Sequence, residues 1–445
     1  MLLTKKQSIQ NITLSLLFMI NSLQLSAATV TDGPLIGGVT DNSARVFMRT
    51  DEVANVMVRY DTDPLFTNPL FSEDFVTQAR DDFTRIISIR ELQEDTKYYY
   101  QVMVNGRPQR TISEFQFKTF PAPGIDKPFK FAALVDTGNS PDRPAAIYGR
   151  VEAEQPAFVL QLGDWDHRDP ETLDKMRTMH REVRGRLTTA GLYFSDFIAP
   201  NFPVFHMWDD HDYGMENGDI TFSGKNDALR AYREYFPAAN IANPQQGIWQ
   251  SFQYANVEVF MLDTRSNRDP NEDIDDENKS MLDGGNIENG QKHWLFEGLL
   301  NSSARWKILT SGSPFNPSCK PSDGWGAFNT ERQEIVDFIN DNNISNVVIL
   351  TGDIHSGGGI DNGTNSGIPE LTVPHTNMNM DPNNPNGLTT TRAGEWSEGL
   401  VKGIEDGILK HGMGVVEIAT NPHRLTLSAK GQNGEIRVAY TIIDQ

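Results

Sequence analysis

Six short apolar runs punctuate the chain between residues 129 and 351: FKFAALV, AFVLQL, PVFHMW, VEVFML, WKILT and NVVILT. Each is too short for a typical helix and apolar nearly throughout, which predicts strands covered on both faces. Amphipathic segments lie between several of them: RPAAIYGRVEAE, PETLDKMRTMHREVRGRL, KNDALRAYREYF, QKHWLFEGLLNSS and TERQEIVDFINDN. Alternation of strand and helix predicts an α/β body, a layered αββα sandwich, over residues 128–445. The tail segments GVVEIA, HRLTLSAK and EIRVAYTI read as further strands joined by turns.

The stretch before this body is different. From 29 to 120 the chain alternates polar and apolar residues in short segments such as SARVFMRT, NVMVRYDT, FTRIISIREL and KYYYQVMVNG. About seven strands are expected, in a small all-β sandwich. The segment 121–127, rich in proline and glycine, reads as a linker. Residues 1–28 read as a Sec-type signal peptide: Lys5 and Lys6 precede the apolar ITLSLLFMI, and Ser26-Ala27-Ala28 offers a cleavage site. The expectation is an exported protein with no membrane span once the signal is removed. Cys319 is the single cysteine, so neither an intrachain disulfide nor a thiolate metal cluster can form. The formal charge of −21 argues against a nucleic-acid scaffold role, because a phosphate backbone needs a positive footprint. Small phosphorylated molecules remain possible, since bound metal ions supply local positive charge.

The chemistry sits at the ends of the apolar runs. Asp136-Thr137-Gly138, Gly163-Asp164-Trp165-Asp166-His167, Asp209-Asp210-His211-Asp212, Asp263-Thr264-Arg265 and Gly352-Asp353-Ile354-His355 each follow one. Ligands of open α/β sheets bind outside the carboxyl ends of strands. One aspartate there is ordinarily a turn or cap residue. Five such clusters of carboxylate, imidazole and guanidinium point instead to a two-metal hydrolase. Imidazoles favour Fe, Zn or Mn, and an all-oxygen shell favours Ca, Mg or Mn.

These motifs resemble the metallophosphoesterases, whose pattern runs D-x-H/G, G-D, G-N-H-E/D and G-H-x-H. WDDHD, LDTR and TGDIH, with GWGAF around Trp325 and then Glu331-Arg332, resemble the alkaline phosphatase D (PhoD-like) branch. That branch carries a small β domain ahead of its catalytic domain, and the segment LQEDTKYYYQVMVNG here is similar to a fibronectin-III or Ig-like domain. The resemblance implies a bridging Asp164, with Asp136, His167 and His355 completing one metal site. It implies Asp210 and Asp353 at a second site, with Asp209 joining it or orienting a ligand. His211 matches the catalytic histidine that assists the leaving group, and Arg265 is expected to grip a phosphate oxygen. Arg268 and Trp325 are further substrate or supporting candidates.

Three departures stand out. DTG replaces the G-S-C of many members, His167 stands where relatives place a tyrosine, and Thr310-Ser311-Gly312-Ser313 lacks the superfamily's middle histidine. Two or more metal ions are expected, Ca or Mn at the oxygen-rich site and Fe, Mn or Zn at the mixed one. The implied activity is that of an exported phosphomonoesterase or phosphodiesterase using a metal-bound hydroxide, with an alkaline optimum and a small-molecule phosphate ester as substrate. The competing readings are a purple acid phosphatase-like enzyme and a non-enzymatic calcium-binding surface protein.

Weaker signals are read more plainly. The acidic stretch 269–285 lacks the glycine of an EF-hand loop and is expected to be a solvated acidic loop. Gly357-Gly358-Gly359 is expected to let the backbone pass close to the metals. The Asn-rich segment 376–387 reads as a surface loop. His180, His206 and His375 are expected to be structural, His375 through hydrogen bonds. Trp165 and Trp208 are expected to pack behind the ligands.

Overall fold

The computed structural model describes residues 28–109, 115–137, 146–184, 194–285, 289–355, 357–378, 394–405 and 408–444. Residues 1–27, most of the stretch read as a signal, and the Asn-rich segment from 379 onward lie outside the described residues.

Two antiparallel sheets form the first part of the chain. One joins Val30–Gly37, Ala44–Thr50 and Thr84–Ile89. The other is built on Asn55–Asp61 and Lys97–Val104, flanked by Leu70–Phe71, Phe75–Val76, Arg107–Pro108 and Phe115–Lys118. The strands beyond the expected set are two-residue pairings. Period-two burial follows the sequence: in Lys97–Val104, Tyr98, Tyr100 and Val102 point inward. Tyr98 stacks on Phe117 at 5.7 Å, and its hydroxyl accepts the Gln93 N–H at 3.0 Å. The Tyr100 hydroxyl donates to the Pro200 carbonyl at 2.9 Å, tying this sandwich to the region that follows.

The rest of the chain is a layered αββα body with two mixed sheets facing each other. In one, Phe129–Leu134, Val159–Leu162 and Val204–Met207 run parallel, and the tail strands Gly412–Thr420, His423–Gly431 and Ile436–Ile443 extend it antiparallel. In the other, Val257–Met261, Trp306–Ser311, Val347–Thr351 and Glu370–Thr372 run parallel. Alternate residues of one strand go to different cores. Ile308 and Val348 join the core between the sheets. Their neighbours Leu309 and Ile349 pack with Leu295, Leu299, Ile335 and Ile339 of the helices Gln291–Asn301 and Asn329–Asp341. Both faces of these strands are largely buried, so most positions are apolar, which is why they read as nearly unbroken runs. Phe120, ahead of the body, lies 4.9 Å from Tyr254 and 5.8 Å from Phe158, in an aromatic cluster with Phe131, Phe205 and Phe252. Among the described residues no helix is long and apolar enough to cross a membrane.

Candidate metal centre

The parallel strands deliver their polar residues at a common offset. Asp136, Asp164, Asp209, Asp263 and Asp353 each stand two positions beyond the last residue of their strand. Asp136, Asp164 and Asp353 adopt left-handed backbone conformations, with φ of 49°, 53° and 60°, and His355 follows at 62°. Such strain in non-glycine residues persists where the surroundings over-determine it, and it concentrates at functional sites. Asp209 instead caps the short helix Asp210–Tyr213 and exchanges capping bonds with Asp212.

Two ligand-capable groups meet at Asp164. Asp164, His167, His211 and His355 each offer one donor atom, all within 4.8 Å of one another. Asp164, Asp209 and Asp353 do the same with carboxylate oxygens. His355 Nε2 lies 3.3 Å from Asp164 Oδ2, 3.2 Å from Asp353 Oδ1 and 3.8 Å from Asp136 Oδ1. Asp136 also takes the backbone N–H of His355 at 3.3 Å. Asp136 Oδ1, Asp164 Oδ1 and both ring nitrogens of His167 are buried with no hydrogen-bond partner. Buried polar atoms are rarely left so, because desolvation without a partner costs about 1–3 kcal/mol each. A cation fits this donor set, and the mixture of imidazole and carboxylate suits a borderline transition metal.

Charge follows from the packing. Burial holds His167 down to about 4, so its imidazole is neutral and free to ligate at physiological pH. Burial also works against a charged His211. The charges of Asp164 and Asp210 and the 2.7 Å hydrogen bond from its Nδ1 to Asp169 Oδ1 outweigh that and carry it up to about 9. Burial raises Asp164, but the His355 hydrogen bond and the charge of His211 work against it and hold it at about 2.

Several expected residues take other places. The Arg265 guanidinium is wholly buried, with Nε 2.5 Å and Nη2 3.0 Å from the two oxygens of Asp209 and Nη2 3.2 Å from Ser313 Oγ. It is a clamp behind the carboxylates rather than a grip open to a phosphate. Gly312 makes room for this arrangement: a Cβ there would meet Asp209 Oδ1 at 2.6 Å. Arg268 is buried as well, held by Asn271 and the Asp323 carbonyl over the Phe328 ring. Trp325 is buried against Phe315 and donates to Ser311 Oγ at 2.9 Å, supporting a strand end. The oxygen trio contains Asp209 in place of Asp210. Asp210 Oδ2 takes the Asn217 N–H at 2.8 Å, and its Oδ1 lies 3.6 Å from Arg265 Nη2.

Other expectations change too. The loop 269–285 is only partly solvated. Lys279 is buried, with its ammonium on the carbonyls of Asn271, Asp273 and Ala327, and the Met281 N–H bonds the Glu331 carboxylate. At Gly357–Gly359 the crowding comes from neighbouring chain: added Cβ atoms would meet Val401 O, Thr372 O and the Trp396 ring. His375 is wholly buried with no hydrogen bond at either ring nitrogen, its ring 5.4 Å from that of His411. His180 packs on Tyr235 and Phe236, and His206 on Trp165 and Phe236. Trp208 donates to Asp263 Oδ1 at 2.8 Å, which explains the aspartate at that strand end. Trp165 packs edge-on against Phe194 at 4.6 Å.

Sequence reasoning passed over two neighbours of the site. Asp169 holds His211, and its signal was the acidic run around His167. Lys320 is buried with its ammonium against Asp353 and 3.1 Å from Asp323, and nothing in SCKPSD announces it.

The model of the PhoD-like phosphatases matches residues 139–379, more than half of the chain. The chain belongs to the PhoD-like phosphatase family. A second model, a domain of unknown function (DUF7800), matches residues 27–122, the region of the all-β sandwich. Alkaline phosphatase D of Bacillus subtilis (strain 168) is 27% identical over 312 residues, covering 59% of this chain and 52% of that protein. The chain thus spans about half the length of the curated relative it matches. Two solved structures share the fold of this PhoD-like chain. One, a structure of PhoD, aligns with a TM-score of 0.71 at 18% identity, over 92% of this chain and 90% of the other. The other, the purple acid phosphatase PPD1 from yellow lupin (Lupinus luteus) seeds, aligns at 0.64 and 14%, over 94% and 74%.

Proposed function

We propose that the protein is an exported, metal-dependent phosphoesterase that hydrolyses small organic phosphate esters. The observation that carries this is the convergence of Asp136, Asp164, His167, His211, Asp353 and His355, from strand ends separated by more than two hundred residues, into one buried donor cluster. Membership of the PhoD-like phosphatases and the likeness to alkaline phosphatase D support the reaction class. The domain plan is a signal over 1–28, the β-sandwich over 29–120, a linker over 121–127 and the catalytic body over 128–445. The signal-like composition of the first of these supports export.

Asp136, Asp164, His167 and His355 would hold a transition metal, with Fe, Mn or Zn suited to that donor set. Such an ion, when bound, activates water and neutralises charge on the phosphate. His211 is the acid of the reaction: Asp169 Oδ1 fixes its ring through a 2.7 Å hydrogen bond to Nδ1, which leaves Nε2 to donate to the departing ester oxygen. Arg265, itself held by Ser313, fixes the Asp209 carboxylate beside Asp164 and Asp353.

The test is hydrolysis of p-nitrophenyl phosphate and its bis ester, with metal analysis, on wild type and Asp164→Asn. Wild type loses turnover with a chelator and regains it with Mn, Zn or Fe. Asp164→Asn loses metal and at least about a hundredfold in rate. Full metal content and full rate in that variant would remove the basis of the assignment.

A further inference from the structure

The two donor groups that meet at Asp164 differ in what already occupies them. Among the described residues no lysine or arginine pairs with Asp136, Asp164 or His167. In the oxygen trio, both remaining carboxylates carry a fixed cation. Arg265 spans the two oxygens of Asp209, and Lys320 is placed on Asp353. Lys320 is 7% exposed and Arg265 fully buried, so neither is a surface charge that swings in from solvent. The Lys320 ammonium also lies 3.1 Å from Asp323 Oδ2. Its backbone is fixed as well: the Lys320 carbonyl takes the Gly324 N–H at 2.7 Å and the Asp323 N–H at 3.2 Å, closing a turn that ends on the buried Trp325.

We propose that Lys320 is a built-in counter-ion that replaces the second metal of a two-metal phosphoesterase, so that this chain holds one ion, at the imidazole-bearing group. The inference rests on the reading under Proposed function and narrows it: at the oxygen-rich group Asp209 and Asp353 are taken up by Arg265 and Lys320, and of the two oxygens left there without a hydrogen-bond partner, Asp164 Oδ1 and Asp210 Oδ1, the second lies 3.6 Å from Arg265 Nη2. An ammonium in contact with Asp353 repels a divalent cation at the position where that carboxylate would ligate it. With Arg265, it supplies the positive charge that the clustered aspartates otherwise draw from a metal. The acidic loop repeats the device, since the Lys279 ammonium fills a cage of three carbonyls in a stretch composed like a calcium loop. Lys320 is thereby a positioning residue for Asp353 and not a group assigned to the substrate.

The experiment is a metal count on the chelator-stripped full-length secreted chain, reloaded with Mn(II), desalted and measured by mass spectrometry, with electron paramagnetic resonance on the same sample. Wild type retains about one equivalent and gives an uncoupled Mn(II) signal. Lys320→Met frees Asp353, gains at least about tenfold in affinity for a second Mn(II) and shows an exchange-coupled signal. Lys320→Arg keeps the charge and stays near one equivalent. Two tight equivalents with a coupled signal in wild type overturn the inference, and so does a folded Lys320→Met that still binds only one. If Lys320→Met does not fold, the wild-type and Lys320→Arg counts decide the matter. No bound metal in wild type sinks the phosphoesterase reading itself, an outcome distinct from the count of two.

Discussion

Arg265→Met separates two roles that the sequence alone could not distinguish, a phosphate grip and a buried clamp. The guanidinium is wholly buried, Asp209 is 1% exposed, and two hydrogen bonds join them at 2.5 and 3.0 Å. Methionine matches the length of the side chain and removes the charge. Asp209 is then left as a buried anion against Gly312, with its remaining neighbours Asp210 and Asp353 also acidic. Breaking one side of a buried ion pair costs about 3–5 kcal/mol. The unfolding midpoint of the metal-free protein in urea, followed by tryptophan fluorescence, should fall accordingly, and kcat should fall because the Asp209 wall is no longer fixed. Arg265→Met combined with Asp209→Leu should recover most of the stability and none of the activity, since paired apolar replacement of a buried ion pair is near neutral. A variant within about 1 kcal/mol of wild type, with kcat intact and KM for the ester raised tenfold, would refute the clamp and restore the phosphate grip.

Two further perturbations test the packing around the site. Burial holds His375 at about 3, against an ordinary value near 6.5, so the folded state refuses a proton that the unfolded chain accepts. Stability conferred by the neutral ring is full above 6.5 and is lost as pH falls toward 3, by up to about 1.4 kcal/mol per pH unit. His375→Leu should flatten the acid limb of a stability-against-pH curve, and an unchanged limb would show that other groups carry it. Phe120→Ala empties the aromatic cluster between the β-sandwich and the catalytic body, at a cost of about 3–5 kcal/mol. Calorimetry should then resolve two transitions where wild type shows one, and a single unshifted transition would mean that the two parts are held together elsewhere.

What the sequence determined by itself was everything governed by local pattern. Strands buried on both faces are apolar at most positions, so the runs at 129, 157, 257, 306 and 346 were legible as strands and the amphipathic stretches between them as helices. Chemistry at strand ends was legible too, because a parallel sheet sends its carboxyl ends to one side. Asp136, Asp164, His167, Asp353 and His355 were named from that rule, and the fold does bring them to one place. Only the tertiary structure decided what each charged group faces. Arg265, Arg268, Lys279 and Lys320 look alike in a sequence as cations in polar company, yet all four are buried on carboxylates or carbonyls contributed by other segments. Asp209 and Asp210 are adjacent in the chain and equivalent by composition. The helix that begins between them sends Asp209 into the oxygen trio, while Asp210 gives one oxygen to the Asn217 backbone and leaves the other 3.6 Å from Arg265. Asp209, Asp323, Ala327 and Asp353 lie 33 to 56 residues from the cations they hold. No periodicity in the sequence records a pairing that chain topology alone creates.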